Sequence, residues 1–205
     1  MINQSLLHYC ETQVLPKYDS YDRGHNREHI DQVVAGVLEL APSYEVNIDM
    51  LYVAAVFHDL GIVEGRETHH ITSARMLRED SFVENFFSEE EIELIAQAIE
   101  DHRASSKSEP RSVYGKILSS ADRIIDPDTI IRRTYFYGLK HYPGLSDQDY
   151  LERIYSHIMD KYAEGGYLKV PILTSKNKEG LDRLRLLASN YDSFKQYCKE
   201  LIDNL

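Results

Sequence analysis

From Met50 to Phe57 the chain runs through eight residues without a charge and then ends on His58-Asp59. A stretch that apolar belongs in a core, yet it delivers an imidazole and a carboxylate to its own end. Buried polar groups of that strength need partners, and a metal ion satisfies both at once. Other candidate ligands lie along the chain: His25 and His29 upstream, His70 and His102 downstream, and Asp122 in SSADRI.

Apolar spacing of three and four residues recurs throughout, and strand-like alternation is scarce. The periodicity predicts helices over 3–15, 26–41, 48–60, 69–79, 88–102, 112–125, 128–141, 147–163 and 177–203. Pro42, Gly61, Gly65, Pro110, Pro127, Pro143-Gly144, Gly165-Gly166 and Pro171 fall mostly between them. Asp128 and Ser146 are expected N-caps, and Ser88 with Glu91 reads as a capping box. The stretch EGGYLKVPILTSKNKEG is the least helical, a loop or a short extended piece. The expected fold class is all-α, a bundle of about eight or nine helices around one core.

Helical phase turns the candidate ligands toward that core. His29 precedes Val33 and Val37 on the edge of an apolar stripe, and His102 extends the line of Ile92, Ile95 and Ile99. Asp122 lies one turn after Leu118, and His70 shares a line with Ala74 and Leu77, whereas His69 shares one with Ser73 and Met76. Each residue alone reads as a satisfied core group. Together they are more simply explained by one metal centre.

The order His29, His58-Asp59, His102, Asp122 resembles the HD-domain superfamily of metal-dependent phosphohydrolases. GHNREHIDQVV resembles its first-histidine helix, AAVFHDLG its HD helix, SSADRI its terminal aspartate helix, and HHITSARML a segment found in many members. The likeness covers about residues 20–140 and is closest to small bacterial single-domain HD proteins. It implies one HD-type domain over 1–205, with C-terminal helices over 147–203 packing on the motif core. It also implies a metal held by His29, His58, Asp59 and Asp122, with Asp59 orienting the attacking water. His70, His102 and His25 would bind a second ion or stand behind the ligands. The nitrogen and oxygen donors suit one or two ions of Mn, Fe, Co, Ni, Zn or Mg.

Glu64 is a candidate general base. However, Ile62 occupies the position three residues past Asp59 where some relatives carry a glutamate, and where cyclic-dinucleotide phosphodiesterases carry a lysine. Arg103, Arg123, Arg132 and Arg133 are candidate phosphate clamps. The implied reaction is hydrolysis of a phosphate ester or anhydride of a small molecule, a nucleotide by preference. The alternatives are an HD-fold di-iron oxygenase and a nucleotide sensor without turnover.

A net charge of −11 disfavours nucleic acid and anionic membranes as partners. The window from Arg103 to Lys140 runs against that balance, with eight basic residues to four acidic ones, which suits a small anionic substrate. No apolar run reaches the roughly 20 residues of a membrane span. The N-terminal residues lack a secretory pattern, and Cys10 and Cys198 read as reduced thiols, so the expected location is the cytoplasm. A homo-oligomer is compatible with all of this.

Overall fold

The computed structural model describes residues 1–21, 25–103 and 108–204. Gly24 of the first-histidine motif and Lys107 of the basic window lie outside the described residues. Ten α-helices and no strand occur among the described residues, which bears out the all-α class. The chain divides into two compact units, one of Met1–Arg123 with Val170–Thr174, the other of Ile124–Lys169 with Ser175–Leu205.

The first unit holds α1 (Gln4–Tyr9), α2 (Arg27–Leu40), α3 (Ile48–Phe57), α4 (His69–Arg78), α5 (Glu89–Asp101) and α6 (Val113–Asp122). Every residue of α3 from Met50 to Phe57 is buried. Such a helix, apolar all round, can only be the centre of a core. It packs against α2 and α5 and touches α4 and α6. Asn47 starts it by accepting from the Asp49 N–H.

Two glycines permit close approaches that bring candidate ligands together. A Cβ on Gly36 of α2 would lie 2.9 Å from the Ala121 Cβ of α6, so these helices cross almost backbone to backbone next to Asp122. A Cβ on Gly61 would run into the His69 carbonyl and lie 2.7 Å from both the Ser73 nitrogen and the Thr72 Cβ. Instead the Gly61 N–H donates to Ser73 Oγ at 2.8 Å. The turn after His58-Asp59 is thereby pressed onto the first turn of α4.

The second unit is built from α7 (Pro127–His141), α8 (Asp147–Tyr162), α9 (Ser175–Ala188) and α10 (Tyr191–Asp203). Four expectations change. The single helix expected over 177–203 is two helices, because Asn190 caps a new start by accepting from the Ser193 N–H. The helix expected to reach 125 stops at Asp122, since Arg123 is extended. The cap of α7 is Asp126 rather than Asp128, which leaves Pro127 in the first turn where it needs no donor. The Ser88–Glu91 capping box and the Ser146 cap form as expected. At the N-terminus, the helix expected over 3–15 is α-helical only to Tyr9, continues as a π turn over Cys10–Val14, and becomes 3-10 at Leu15–Ser20 around Pro16.

Cys10 and Cys198 are free and buried, and burial pushes both thiols up to about 12. Among the described residues, no helix is long and apolar enough to cross a membrane.

Because Gly61 has no room for a methyl group, Gly61→Ala should lower stability by about 1–3 kcal/mol, the usual cost of overpacking. Chemical denaturation of the two proteins side by side measures it.

Candidate metal centre

Five helix ends converge here. His29 lies in the first turn of α2, its N–H donating to the Asn26 cap at 3.1 Å. His58 is the C-cap of α3 and is followed by Asp59, His69 opens α4, His102 is the C-cap of α5, and Asp122 closes α6. Helix ends are where backbone groups lack partners, and three imidazoles exploit this. His58 Nδ1 lies 2.7 Å from the Ala55 carbonyl, His69 Nδ1 2.7 Å from that of Arg66, and His102 Nδ1 2.5 Å from that of Ile99. A carbonyl only accepts, so each Nδ1 carries the proton. In the neutral rings, the Nε2 lone pairs then face inward.

The inward atoms gather around the two oxygens of Asp59. Near Oδ2 lie His58 Nε2 at 3.2 Å and His29 Nε2 at 3.5 Å, and Asp122 Oδ1 is 3.2 Å from the same His29 nitrogen. Near Oδ1 lie His69 Nε2 at 3.3 Å and His102 Nε2 at 3.5 Å. His29, His58 and Asp59 form one triad with the closeness a metal ion needs, and Asp59, His69 and His102 form another.

The chemistry of these groups fits a cation. His58 Nε2 is fully buried and, despite its distance from Asp59, has no hydrogen-bond partner among the described residues. His69 Nε2 and His102 Nε2 face each other at 3.1 Å. With both Nδ1 protons spent on carbonyls, two lone pairs meet there unless a proton or a cation intervenes. Ligand atoms bonded to one ion at about 2.0–2.2 Å lie about 2.9–3.5 Å apart, close to the spacings seen here.

Without a cation the carboxylates favour the protonated form of two of the rings. Burial pulls the His58 imidazole down, but Asp59 and Asp122 outweigh it and leave its pKa well above the usual value. His29 is raised in the same way, by Asp122 and Asp59 against burial. Burial pushes the Asp59 carboxyl up, yet His58, His102 and His29 hold it well below the usual range, and His29 and His58 do the same for Asp122. Burial lowers His69 below its ordinary value, which favours the neutral, ligating form.

The structure therefore brings together His29, His58, Asp59, His102 and Asp122, all identified from the sequence. Of the pair His69-His70, the histidine in the cluster is His69, and His70 Nδ1 is buried without a hydrogen-bond partner among the described residues. The missed signal was Ser73, on the His69 line, which is fully buried and bonded to Gly61. His25 belongs to neither triad and lies edge-on to His29 with ring centroids 6.3 Å apart. Glu64 has an exposed carboxylate that is paired with Arg75 at 2.7 Å. Arg103 donates to the Glu67 carbonyl at 2.7 Å. Arg123 is half-buried beside Asp122; burial lowers its pKa, against the pull of that carboxylate. Arg132 and Arg133 are exposed on α7 of the second unit.

Residues 26–125 match the family model described as the HD domain. Over that stretch the chain is similar to the HD domain, whose superfamily is generally one of metal-dependent phosphohydrolases. A protein of Clostridium beijerinckii, described as an uncharacterized protein, is 32% identical over 106 residues. The match covers 49% of this chain and 64% of that relative's length. No solved structure matches.

The raised imidazoles set the pH behaviour of the metal-free protein. Their folded pKa values exceed the ordinary 6.5, so their contribution to stability is full below 6.5 and is lost as pH rises through the folded values. A divalent cation must displace those protons. Its affinity should climb with pH over the same interval, with net proton release seen by calorimetry in buffers of differing ionisation heat.

Proposed function

We propose that the chain is a phosphohydrolase acting on a small phosphate compound of the nucleotide class, in which His29, His58, Asp59 and Asp122, together with His69 and His102, would hold divalent cations. The observation that carries this reading is the division of labour at Asp59. One oxygen faces His29 and His58, with Asp122 beside them, and the other faces His69 and His102. Divalent cations held by these residues would supply positive charge against phosphoryl oxygens and lower the pKa of a water toward neutrality.

The protein's own groups do the rest by position and charge, which is most of what phosphoryl transfer requires. His58, His69 and His102 are locked by their carbonyl bonds in the ligating tautomer. Asp122, at 19% exposure, and His29, at 12%, form the open edge, while His58 is sealed at 0%. Substrate approaches from that edge, where the half-buried Arg123 guanidinium can pair with a phosphate oxygen. With Glu64 held by Arg75, orienting the attacking water falls to Asp59.

The same six groups, four imidazoles and two carboxylates, also suit a pair of irons, so a di-iron oxygenase is the second reading. Protein purified without chelator should carry two cations per chain and release phosphate or pyrophosphate from a nucleotide panel with added Mn²⁺. Asp59→Ala should lose both ions and about three orders of magnitude or more in turnover. His69→Ala should retain one ion, and His70→Ala should retain both. Two irons with oxygen consumption and no hydrolysis would instead select the oxygenase.

A further inference from the structure

Around His58-Asp59 the backbone leaves its helix, and the carbonyls stranded there must be satisfied. Helix α3 stops at Phe57, Asp59 takes φ −111° and ψ 4°, and a 3-10 turn follows over Leu60–Glu64. His58 itself takes the Ala55 carbonyl. The Asp59 carbonyl accepts from the Ile62 N–H at 3.1 Å. Two tyrosines from a distant part of the sequence take the next pair. The Tyr18 hydroxyl donates to the Val56 carbonyl at 2.7 Å, and the Tyr21 hydroxyl donates to the Leu60 carbonyl at 2.9 Å.

These hydroxyls are costly to place unless they serve a purpose. Tyr18 is fully buried, and phenylalanine would fill its space without any polar group to satisfy. The two rings meet edge to face with centroids 5.0 Å apart, and the Tyr21 N–H donates to the Tyr18 carbonyl at 3.1 Å, so the two residues are tied to each other. Burial pushes both hydroxyls up in pKa, with the Asp59 charge the next cause for each, a measure of how near that carboxylate lies.

We propose that Tyr18 and Tyr21 are positioning residues of the metal centre, gripping the backbone on both sides of His58-Asp59 and thereby aiming the Asp59 carboxylate between the two triads. The inference rests on the metal-centre reading above. Neither hydroxyl touches a ligand atom; both act through the peptide groups of residues 56 to 60.

The test is Mn²⁺ affinity by titration calorimetry and the visible spectrum of the Co²⁺-substituted protein, for Tyr18→Phe, Tyr21→Phe and both together. Tyr114→Phe is the control, because its hydroxyl accepts from the Asn47 N–H at 2.8 Å in the same unit. Loss of a group that orients ligands typically weakens metal binding about 10–100-fold. The double variant should show that loss and a changed Co²⁺ spectrum, while Tyr114→Phe keeps the wild-type affinity and spectrum. Affinities within twofold of wild type in both Tyr18→Phe and Tyr21→Phe overturn the proposal. So does equal weakening by all three hydroxyl deletions, which would mark a general loss of stability. Should Tyr18→Phe fail to fold, the half-buried Tyr21→Phe carries the same comparison alone. A wild-type protein that binds neither Mn²⁺ nor Co²⁺ overturns the metal centre itself, an outcome distinct from unchanged affinity in the variants.

Discussion

Three of the four imidazoles at the candidate centre take their orientation from a backbone carbonyl three residues earlier. That bond solves two problems together. It satisfies an acceptor stranded where a helix or turn ends, and it fixes which ring nitrogen carries the proton. The inward lone pairs of His58, His69 and His102 follow from it, as does the crowding of like groups that only a proton or cation relieves. The remaining architecture serves to bring those helix ends to one point. Helix α3 is buried on every side, Gly36 lets α2 and α6 cross closely, and Gly61 lets the turn after Asp59 lie against α4.

Much of this was legible in the sequence, because apolar periodicity reports which face is buried. It gave the all-α class, most helix positions, and His29, His58, Asp59, His102 and Asp122. It failed where the buried face is polar. His70 shares its line with Ala74 and Leu77, so hydrophobicity selected it, yet the face turned to the cluster is that of His69 and Ser73. The break between α9 and α10 was hidden for a related reason. Nothing apolar marks it, only the side chain of Asn190 competing for backbone donors. Glu64 could not be judged from sequence either, since its partner Arg75 lies on the next helix and the pairing depends on the turn between them.

Asp59 is where fold and chemistry meet. Its carboxyl is almost sealed from solvent and ringed by imidazoles, a setting that would expel a lone charge. Burial alone would raise its pKa; the surrounding rings reverse the sign. A carboxylate kept ionised in that manner is held for its charge.

The six converging groups also bear on how the chain reaches its fold. They are drawn from residues 29 to 122, and apart from His58-Asp59 no two are closer in sequence than the ten positions from Asp59 to His69. A collapsing chain offers an ion no local nest of ligands. The nest exists only after five distant segments have met, at the entropic cost of closing the loops between them. A cation can therefore reward the finished fold by mass action, but it cannot serve as the template on which the chain assembles.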